Sequence, residues 1–341
     1  MDNFQFGIGY ESGSPDAILG IGYAVNEAQT NSNRKRPYSN LPQALVDKKL
    51  IKSNAYSLWL DDVQSSTGSI LFGGVDTDKY VGSLQKLPVG KVGGQFSEFI
   101  LTISRMAISQ NGNNRTLSNS LPTPVILDSG STITYLPNNL VNVIYSALNI
   151  RYSRRQGSGF CSCDLANQDI TLDFTFTSPT ISVPIRELVI DPNETFQKRD
   201  TLNRRQGFGS SGGSSLCLFG IAPASNQVSI LGDTFLRSAY VVYDLANNEI
   251  SLAQTNYNST RSNVREIGTG KDSVPDAVSV SNVVQASVAQ SGGARIGNPT
   301  ATANSDSDSD PVSGGVGSDS LLSISMVLLG VSIGAGFFLC G

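Results

Sequence analysis

The amino-acid sequence predicts a mainly β protein with a few short helices. Charged residues make up only 15% of the chain, and glycine, serine, asparagine and threonine are abundant, a composition that favours strands and loops. Apolar and polar residues alternate over residues 96–103, as expected for a half-buried strand. Asn247-Asn248 separates two apolar runs and predicts a hairpin turn.

The first predicted region covers residues 1–88. Strands are predicted at residues 4–10, 55–60 and 69–72, because these runs are apolar and are bounded by turn-forming residues. Residues 41–50 have apolar side chains at a helical spacing and a proline near the start, which predicts a helix. We therefore expect short strands and one helix in this region.

The second predicted region covers residues 89–257. A helix is predicted after Pro137, because Leu140, Val141, Ile144 and Leu148 fall on one face of it. Further strands are predicted at residues 170–176, 228–231, 239–243 and 249–253. This region is again mainly β, with one longer helix.

The composition changes at residue 258. Ser, Asn, Val, Gly and Asp dominate residues 258–320, which predicts a disordered stalk. Residues 321–341 are mostly apolar and long enough to cross a bilayer. No Lys or Arg follows Arg295, so we predict a GPI-attachment signal here, in preference to a permanent membrane span.

Charge and composition also exclude several function classes. The net charge is −4 and the sequence pI is about 5.0, which argues against a nucleic-acid partner. The absence of histidine removes Ser-His-Asp and Cys-His catalysis and the usual zinc sites. Acid–base chemistry must therefore use Asp or Glu, and neither a metal nor another cofactor is expected.

The cysteines predict one disulfide. Cys340 lies in the apolar tail, which leaves Cys161, Cys163 and Cys217 in the body of the chain. A bond from Cys163 or from Cys161 to Cys217 would close a loop of about 55 residues and stabilise the fold by constraining the unfolded chain. Cys161-Ser-Cys163 also looks like half a metal site, but no residues supply the other ligands.

Asp128 is the candidate catalytic residue. It follows the apolar run 125–127 and begins the sequence Asp-Ser-Gly-Ser-Thr, which places a carboxylate on a tight turn between hydroxyl groups. A carboxylate that performs acid–base chemistry usually works with a second one that shares its proton. The 341 residues contain no second Asp-Thr-Gly or Asp-Ser-Gly.

Several motifs, in the correct order over about residues 4–257, resemble the pepsin-like aspartic proteases. The resemblance is strongest to the fungal GPI-anchored and secreted members, the yapsin-like and candidapepsin-like enzymes. The matching runs are residues 17–23, 69–76 with Tyr80 and Gly82, 125–132, and 230–237 with 240–244.

The resemblance implies a pepsin-like bilobal fold in which each β lobe gives one aspartate to a central cleft. It identifies residues 89–257 as a complete C-terminal catalytic lobe, and residues 1–88 as a remnant of the N-terminal lobe with the inter-lobe sheet. Asp128 would then be the catalytic aspartate of the C-terminal lobe. Gly130, Ser131 and Thr132 would line the cleft and bind the substrate backbone.

The expected internal repeat is also visible. Residues 18–20, Ile-Leu-Gly, are the counterpart of Ile-Leu-Gly at residues 230–232. In the second copy the glycine follows Asp128 by 104 residues (232 minus 128), so the aspartate of the first lobe is expected before Met1. The sequence is therefore predicted to lack its natural front portion.

The resemblance implies an aspartic-type endopeptidase that acts on polypeptide substrates and is a monomer when complete. This chain would supply only the second aspartate and would be inactive as given. One alternative is a non-catalytic GPI-anchored surface glycoprotein derived from such an enzyme. Another is a dimer in which each chain gives one aspartate, as in retroviral proteases.

The predicted location is the extracellular face of the plasma membrane or the cell wall. A GPI signal is recognised only in the secretory pathway, and the chain begins without a signal peptide. Sequons at Asn114, Asn193 and Asn258 are predicted glycosylation sites that fit the same route.

Overall fold

The structure is a computed structural model that describes residues 18–26, 38–65, 67–117, 120–191, 215–224 and 228–286. Within these ranges the chain is mainly β, which confirms the predicted class, and it forms four larger sheets and one two-stranded ribbon. The strand predicted at residues 4–10 and the tail at residues 321–341 lie outside the described residues.

The largest sheet in the described part of the chain has six strands. Their spatial order is β2 (Ser69–Phe72), β1 (Ala55–Trp59), β18 (Ala239–Asp244), β19 (Glu249–Thr255), β4 (Tyr80–Pro88) and β21 (Val278–Ser279). All neighbours pair antiparallel except β21, which runs parallel to β4. Strands from the predicted regions 1–88 and 89–257 thus share one sheet.

A five-stranded sheet, counted over the same described ranges, contains the strand before Asp128. Its spatial order is β16 (Ile221–Pro223), β9 (Thr134–Leu136), β17 (Ser229–Leu231), β8 (Thr123–Leu127) and β5 (Ile100–Ile103). β17 runs parallel to β8, and β5 runs antiparallel to it. β8 is therefore an inner strand, which explains its apolar sequence.

The remaining strands form two antiparallel sheets and a ribbon. One sheet has the order β13 (Thr180–Pro184), β12 (Ile170–Thr175), β6 (Arg105–Gln110) and β7 (Asn113–Leu117). The other has the order β10 (Arg151–Ser153), β11 (Ser158–Ser162), β15 (Leu216–Phe219) and β14 (Val189–Ile190). The ribbon pairs β20 (Val264–Glu266) with β3 (Gly74–Asp76).

The two predicted helices are confirmed. They are α1 (Leu41–Asp47), which Asn40 caps by accepting the Gln43 N–H, and α2 (Asn138–Leu148), whose predicted apolar face is buried. A short helix, α3, covers Asp233–Leu236. Single 3₁₀ turns occur at Ala24–Asn26, Thr77–Lys79, Cys163–Asn167 and Ile185–Leu188. None of the helices in the described ranges is both long and apolar enough to cross a membrane.

β18 shows how the core is organised, because both of its faces are buried. Val241 and Tyr243 point into the main cluster, which also contains the apolar face of α2 and the side chains of β8. Tyr240 and Val242 point to the opposite face of the six-stranded sheet, into a second cluster. Each fully buried apolar side chain stabilises the fold by about 1.5–3 kcal/mol. Because β18 contributes buried side chains on both faces, it belongs to both hydrophobic clusters.

The strand predicted at residues 96–103 is shorter in the structure and begins at Ile100. Before it, Val92 and Gln95 form an isolated bridge, and the carbonyl of Glu98 accepts the N–H of Ile100 at 3.0 Å. This local hydrogen bond bends the chain and ends the regular ladder. Glu98 therefore lies just outside the strand.

The disordered stalk predicted from residue 258 is wrong for its first part. Residues 258–286, named here the C-terminal strap, fold back over the six-stranded sheet and contribute β20 and β21. Ile267 is fully buried and Val274 is 5% exposed, and both pack in the second cluster with Trp59. The folded body thus extends well beyond residue 257.

Specific hydrogen bonds explain why the composition of residues 258–286 wrongly predicted disorder. The carboxylate of Asp76 accepts the backbone N–H of Asn263 and the hydroxyl of Ser262, and Asp61 accepts the backbone N–H of Asn258. Polar residues of the strap are therefore satisfied by distant partners that a compositional argument does not include. The apolar side chains of Ile267 and Val274 supply the buried surface that holds the strap on the sheet.

Candidate active site

Hydrogen bonds to two neighbouring segments hold the backbone where β8 ends and Asp128 follows. Its backbone N–H donates to the carbonyl of Leu231 on β17 at 3.1 Å, and Leu127 is the register partner of the same residue. On the other side of β8, the N–H of Leu127 donates to the carbonyl of Phe99 at 3.0 Å. Both neighbouring segments therefore hold the last residue of β8 in place.

The turn holds both carboxylate oxygens of Asp128. The N–H of Gly130 donates to Oδ1 at 2.8 Å, and the hydroxyl of Ser131 donates to Oδ2 at 2.7 Å. The N–H of Ser131 also donates to the carbonyl of Asp128 at 3.2 Å. The side chain of Asp128 thus has one defined orientation and remains partly exposed.

The first turn of α3 supports the same loop from behind. The N–H of Asp233 donates to the carbonyl of Ser131 at 2.8 Å, and the N–H of Thr234 donates to the carbonyl of Thr132 at 3.2 Å. Thr234 is fully buried, and its hydroxyl donates to the carbonyl of Gly220 at 2.9 Å. The catalytic turn is therefore part of a connected hydrogen-bond network.

Gly232 lies directly against this loop. A Cβ atom at this position would lie 2.3 Å from the carbonyl oxygen of Ser131 and 2.4 Å from that of Ile133, so a side chain forces the backbone to move. We expect Gly232→Ala to lower the free energy of unfolding by about 1–3 kcal/mol or more, measured by urea denaturation.

Gly20, the counterpart in the first Ile-Leu-Gly motif, provides the matched control. A Cβ atom there meets nothing within 4 Å among the described residues. Gly20→Ala should therefore change the free energy of unfolding by less than about 0.5 kcal/mol. Equal urea midpoints for the two variants would contradict the packing described for Gly232.

Two acidic residues near Asp128 were not predicted as site residues. Asp233 is 9% exposed. Its pKa is raised to about 7, chiefly by burial; Arg237 opposes this rise and the charge of Asp128 adds to it. The sequence signal that could have identified Asp233 is its position directly after Ile-Leu-Gly in the matching run 230–237. Its carboxyl group is therefore largely protonated in mild acid.

Glu98 is the second of these residues. It is 7% exposed, and burial, followed by the charge of Asp128, raises its pKa. No motif surrounds Glu98 just before β5, so it could not be selected as a site residue from the sequence alone. The structure therefore places three carboxyl groups in one neighbourhood, of which the sequence predicted only Asp128.

Aromatic rings form an apolar floor beneath these groups. The rings of Phe99 and Tyr243 lie 4.5 Å apart, Tyr243 and Tyr56 lie 5.0 Å apart, and Tyr23 lies 5.2 Å from Phe99. Burial raises the pKa of Tyr243, and the charges of Asp128 and Asp233 raise it further. The floor excludes water from beneath the acidic groups and strengthens electrostatic interactions among them.

The structure resolves the choice between the two candidate disulfides. Cys163 and Cys217 are bonded, with their Cα atoms 5.0 Å apart, which confirms the predicted bond and leaves their sulfurs unavailable as metal-binding thiolates. Cys161 is a free thiol, buried opposite Cys217 in the β11–β15 pairing. Burial raises the pKa of Cys161 to about 11, so the thiol stays protonated and unreactive.

The other predicted site residues are placed as follows. Gly130 and Thr132 are partly exposed in the turn, whereas the Ser131 hydroxyl is committed to Asp128, so substrate binding by these three residues stays a prediction. The sequon residues Asn114 and Asn258 are exposed. The third sequon residue, Asn193, lies outside the described residues.

The whole-chain comparisons agree with the fold and the acidic turn. A sequence profile described as eukaryotic aspartyl protease matches residues 7–255. A probable aspartic-type endopeptidase, opsB, from Aspergillus oryzae is 51% identical over 317 residues, which cover 92% of this chain and 62% of that protein. This chain belongs to the eukaryotic aspartyl protease family.

A more distant relative and a solved structure extend the comparison. Aspartic proteinase 3 from Saccharomyces cerevisiae is 34% identical over 290 residues, covering 82% of this chain and 47% of that protein. The crystal structure of an aspartic proteinase from Irpex lacteus matches with a TM-score of 0.57 at 21% identity, covering 74% of this chain and 72% of that one, which shows a shared fold. The chain spans about three-fifths of the length of its opsB relatives.

Proposed function

We propose that this chain supplies one of the two catalytic carboxylates of an aspartic-type endopeptidase, and that Asp128 is that carboxylate. The observation that carries the proposal is the turn: both oxygens of a partly exposed carboxylate are fixed by Gly130 and Ser131 at the end of an inner strand. The names of the relatives, aspartic-type endopeptidase and aspartic proteinase, support the same reaction class.

The second carboxylate is proposed to come from a segment outside these 341 residues. The sequence holds one Asp-Ser-Gly motif, while the relatives are considerably longer. Leu231, in the second Ile-Leu-Gly motif, is buried and its carbonyl accepts the N–H of Asp128. Its counterpart Leu19 is 52% exposed, and Ile18 is 57% exposed, which fits a place for a corresponding aspartate loop.

The paired carboxyl groups would hydrolyse a peptide bond without a covalent intermediate. Two such groups a few ångströms apart cannot both ionise, so the pair holds one proton. The ionised group takes a proton from water while the water oxygen bonds to the carbonyl carbon, and the protonated group donates its proton to the carbonyl oxygen. The C–N bond then breaks as the group that took the proton from water gives it to the leaving nitrogen, and a hydroxyl of the tetrahedral diol returns its proton to the other group, so the pair again holds one proton.

Substrate contacts and location complete the proposal. Gly130, Ser131 and Thr132 follow the fixed carboxylate in the turn, and we propose from the family resemblance that this turn lines the cleft and binds the backbone of a polypeptide substrate. The Cys163–Cys217 disulfide and the exposed sequon residues Asn114 and Asn258 support passage through the secretory pathway. We place the complete monomeric protein at the cell surface, held by a GPI anchor.

The decisive experiment compares residues 1–341 with a longer protein that includes the upstream coding sequence. At acidic pH, residues 1–341 should cleave no peptide, because one carboxylate of the pair is lacking, whereas the longer protein should cleave it. The measurement is the release of a fluorescent product from a mixed peptide library, with and without pepstatin.

Two outcomes would contradict the proposal in different ways. Pepstatin-sensitive cleavage by residues 1–341, at concentrations where sedimentation shows a monomer, would show that no second carboxylate is needed from elsewhere. Inactivity of a folded longer protein over the whole acidic range would favour a non-catalytic surface glycoprotein.

A further inference from the structure

The pairing of β5 and β8 brings Glu98 and Asp128 to the same end of the two strands. Ile100 is the register partner of Ile126, and the carbonyl of Phe99 accepts the N–H of Leu127. Glu98 comes just before Phe99 and Asp128 comes just after Leu127, so both residues lie at the same end of this antiparallel pairing, where the chain bends at Glu98. The two carboxyl groups are close enough for the charge of Asp128 to act on Glu98.

Among the described residues, nothing stabilises a negative charge on the carboxyl group of Glu98. Its Oε2 is buried and accepts no hydrogen bond from any described residue, and Glu98 joins none of the ion pairs formed among them. The ionisable groups on the surrounding elements are Lys91, Tyr23, Asp128, Asp233, Arg237 and Tyr243.

The two cations in that set are engaged elsewhere. The ammonium group of Lys91 lies over the ring of Phe96, and the guanidinium group of Arg237 is bonded to Glu187. A buried carboxylate without a cation or hydrogen-bond donor is costly, so the neutral acid is the favoured form at this position.

We propose that Glu98 is a positioning residue that stays protonated while Asp128 is ionised, and that its ionisation sets the upper pH limit of the proposed activity. This inference rests on the proposed function of Asp128. Loss of the Glu98 proton places a further negative charge beside Asp128. That charge makes the carboxyl pair hold its shared proton more tightly, so the protonated group becomes a weaker acid toward the carbonyl oxygen of the substrate. The raised pKa of Glu98, caused first by burial and then by Asp128, agrees with this role.

The linkage between folding and pH provides a test that needs no activity. If folded Glu98 keeps its proton to higher pH than unfolded Glu98, the folded state binds more protons, and stability falls as pH rises through that interval. Glu98→Gln removes the ionisation and keeps the shape. The ratio of the folding equilibrium constants, variant over wild type, should therefore rise by up to about tenfold per pH unit in that interval.

Urea denaturation of residues 1–341 between pH 4 and pH 8 measures this ratio. The matched control is Glu266→Gln, because Glu266 is a surface residue paired with the exposed Lys52, and its ratio should stay nearly flat. In an Asp128→Asn background, the rise caused by Glu98→Gln should shrink, because the neighbouring charge is absent. A flat ratio for Glu98→Gln would overturn the proposal, since a merely structural role shifts stability equally at every pH.

A second measurement covers the case in which Glu98→Gln does not fold. The carboxyl ¹³C resonance of Glu98, assigned through its own backbone in the wild-type chain, should titrate above the ordinary glutamate range. Titration of Glu98 within that range would also overturn the proposal, whatever Glu187 and Glu249 do, because burial raises the pKa of those two residues independently.

Activity measurements separate this inference from the proposed function. In the longer protein, Glu98→Gln should move the high-pH limb of kcat/KM upward and leave the low-pH limb in place. An unchanged high-pH limb would overturn the role of Glu98 while Asp128 remains catalytic. A longer protein without activity would overturn the proposed function, and the unfolding ratio would still decide whether Glu98 holds its proton.

Discussion

Replacing Asp128 by asparagine is expected to lower kcat/KM of the longer, active protein by about 10²–10⁴-fold, the usual contribution of a general acid–base group. Asparagine has nearly the same shape, and its amide oxygen can still accept the N–H of Gly130. It can neither take a proton from water nor carry one to the substrate. The variant should therefore lose catalytic activity without unfolding, and its free energy of unfolding should change by less than about 1 kcal/mol.

Asp164→Asn is the matched control for this prediction. Asp164 also accepts a serine hydroxyl, that of Ser162 at 3.0 Å, but it is exposed and lies near the disulfide. Its replacement should leave kcat/KM unchanged within a factor of two or so. The assignment of Asp128 fails if peptide cleavage and its pepstatin sensitivity survive in Asp128→Asn.

Replacing Arg237 by leucine is expected to cause the largest loss of stability, about 3–5 kcal/mol at neutral pH. The Nε of Arg237 donates to Oε2 of Glu187 at 2.7 Å, and its Nη2 donates to the backbone carbonyl of Glu187 at 2.6 Å. Glu187 is fully buried and Arg237 is 5% exposed. Leucine leaves a buried carboxylate with only the more distant Arg186, at 3.4 Å.

The pH dependence of this loss follows from the same contacts. Burial already raises the pKa of Glu187, and Arg237 is the main influence that lowers it, so the variant raises this pKa further. A carboxyl group whose pKa is higher in the folded than in the unfolded protein destabilises the fold at pH values above its unfolded pKa. This cost disappears as the pH falls toward the unfolded pKa. The deficit of Arg237→Leu should therefore be greatest near pH 7 and smaller near pH 4.

Urea denaturation at both pH values checks this prediction. Lys52→Gln, which breaks the exposed pair with Glu266, serves as the control and should cost no more than about 1 kcal/mol. Adding Glu187→Leu to Arg237→Leu should recover part of the loss, because no buried charge then remains. A deficit that is the same at both pH values would contradict the assignment to an unpaired carboxylate.

Local patterns explain which features could be predicted from the sequence. The apolar face of α2 repeats at helical spacing, and the turn at Asp128 follows an apolar strand within five residues. The disulfide was predicted up to one ambiguity, since Cys161 and Cys163 are only two residues apart. In the structure Cys161 lies buried in β11, and Cys163 follows the strand and forms the bond.

Long-range register explains what the sequence could not supply. Glu98 becomes a neighbour of Asp128 only through the pairing of β5 with β8, and Arg237 meets Glu187 across 50 residues. The C-terminal strap was missed for the same reason, because its serines and asparagines find partners nearly 200 residues away. Composition describes a segment in isolation, whereas these contacts depend on the folded sheet.

The C-terminal strap also determines how mechanical load would enter the molecule. Tension applied beyond residue 286 first reaches the N–H of Ala286 on the hydroxyl of Thr102 and the N–H of Val284 on the hydroxyl of Thr177. It then reaches β21, which lies alongside β4 and must be sheared along its length. A pull on the tail would thus load two sheets at once: the five-stranded sheet through Thr102 on β5, the neighbour of the strand before Asp128, and the six-stranded sheet through β21 on β4.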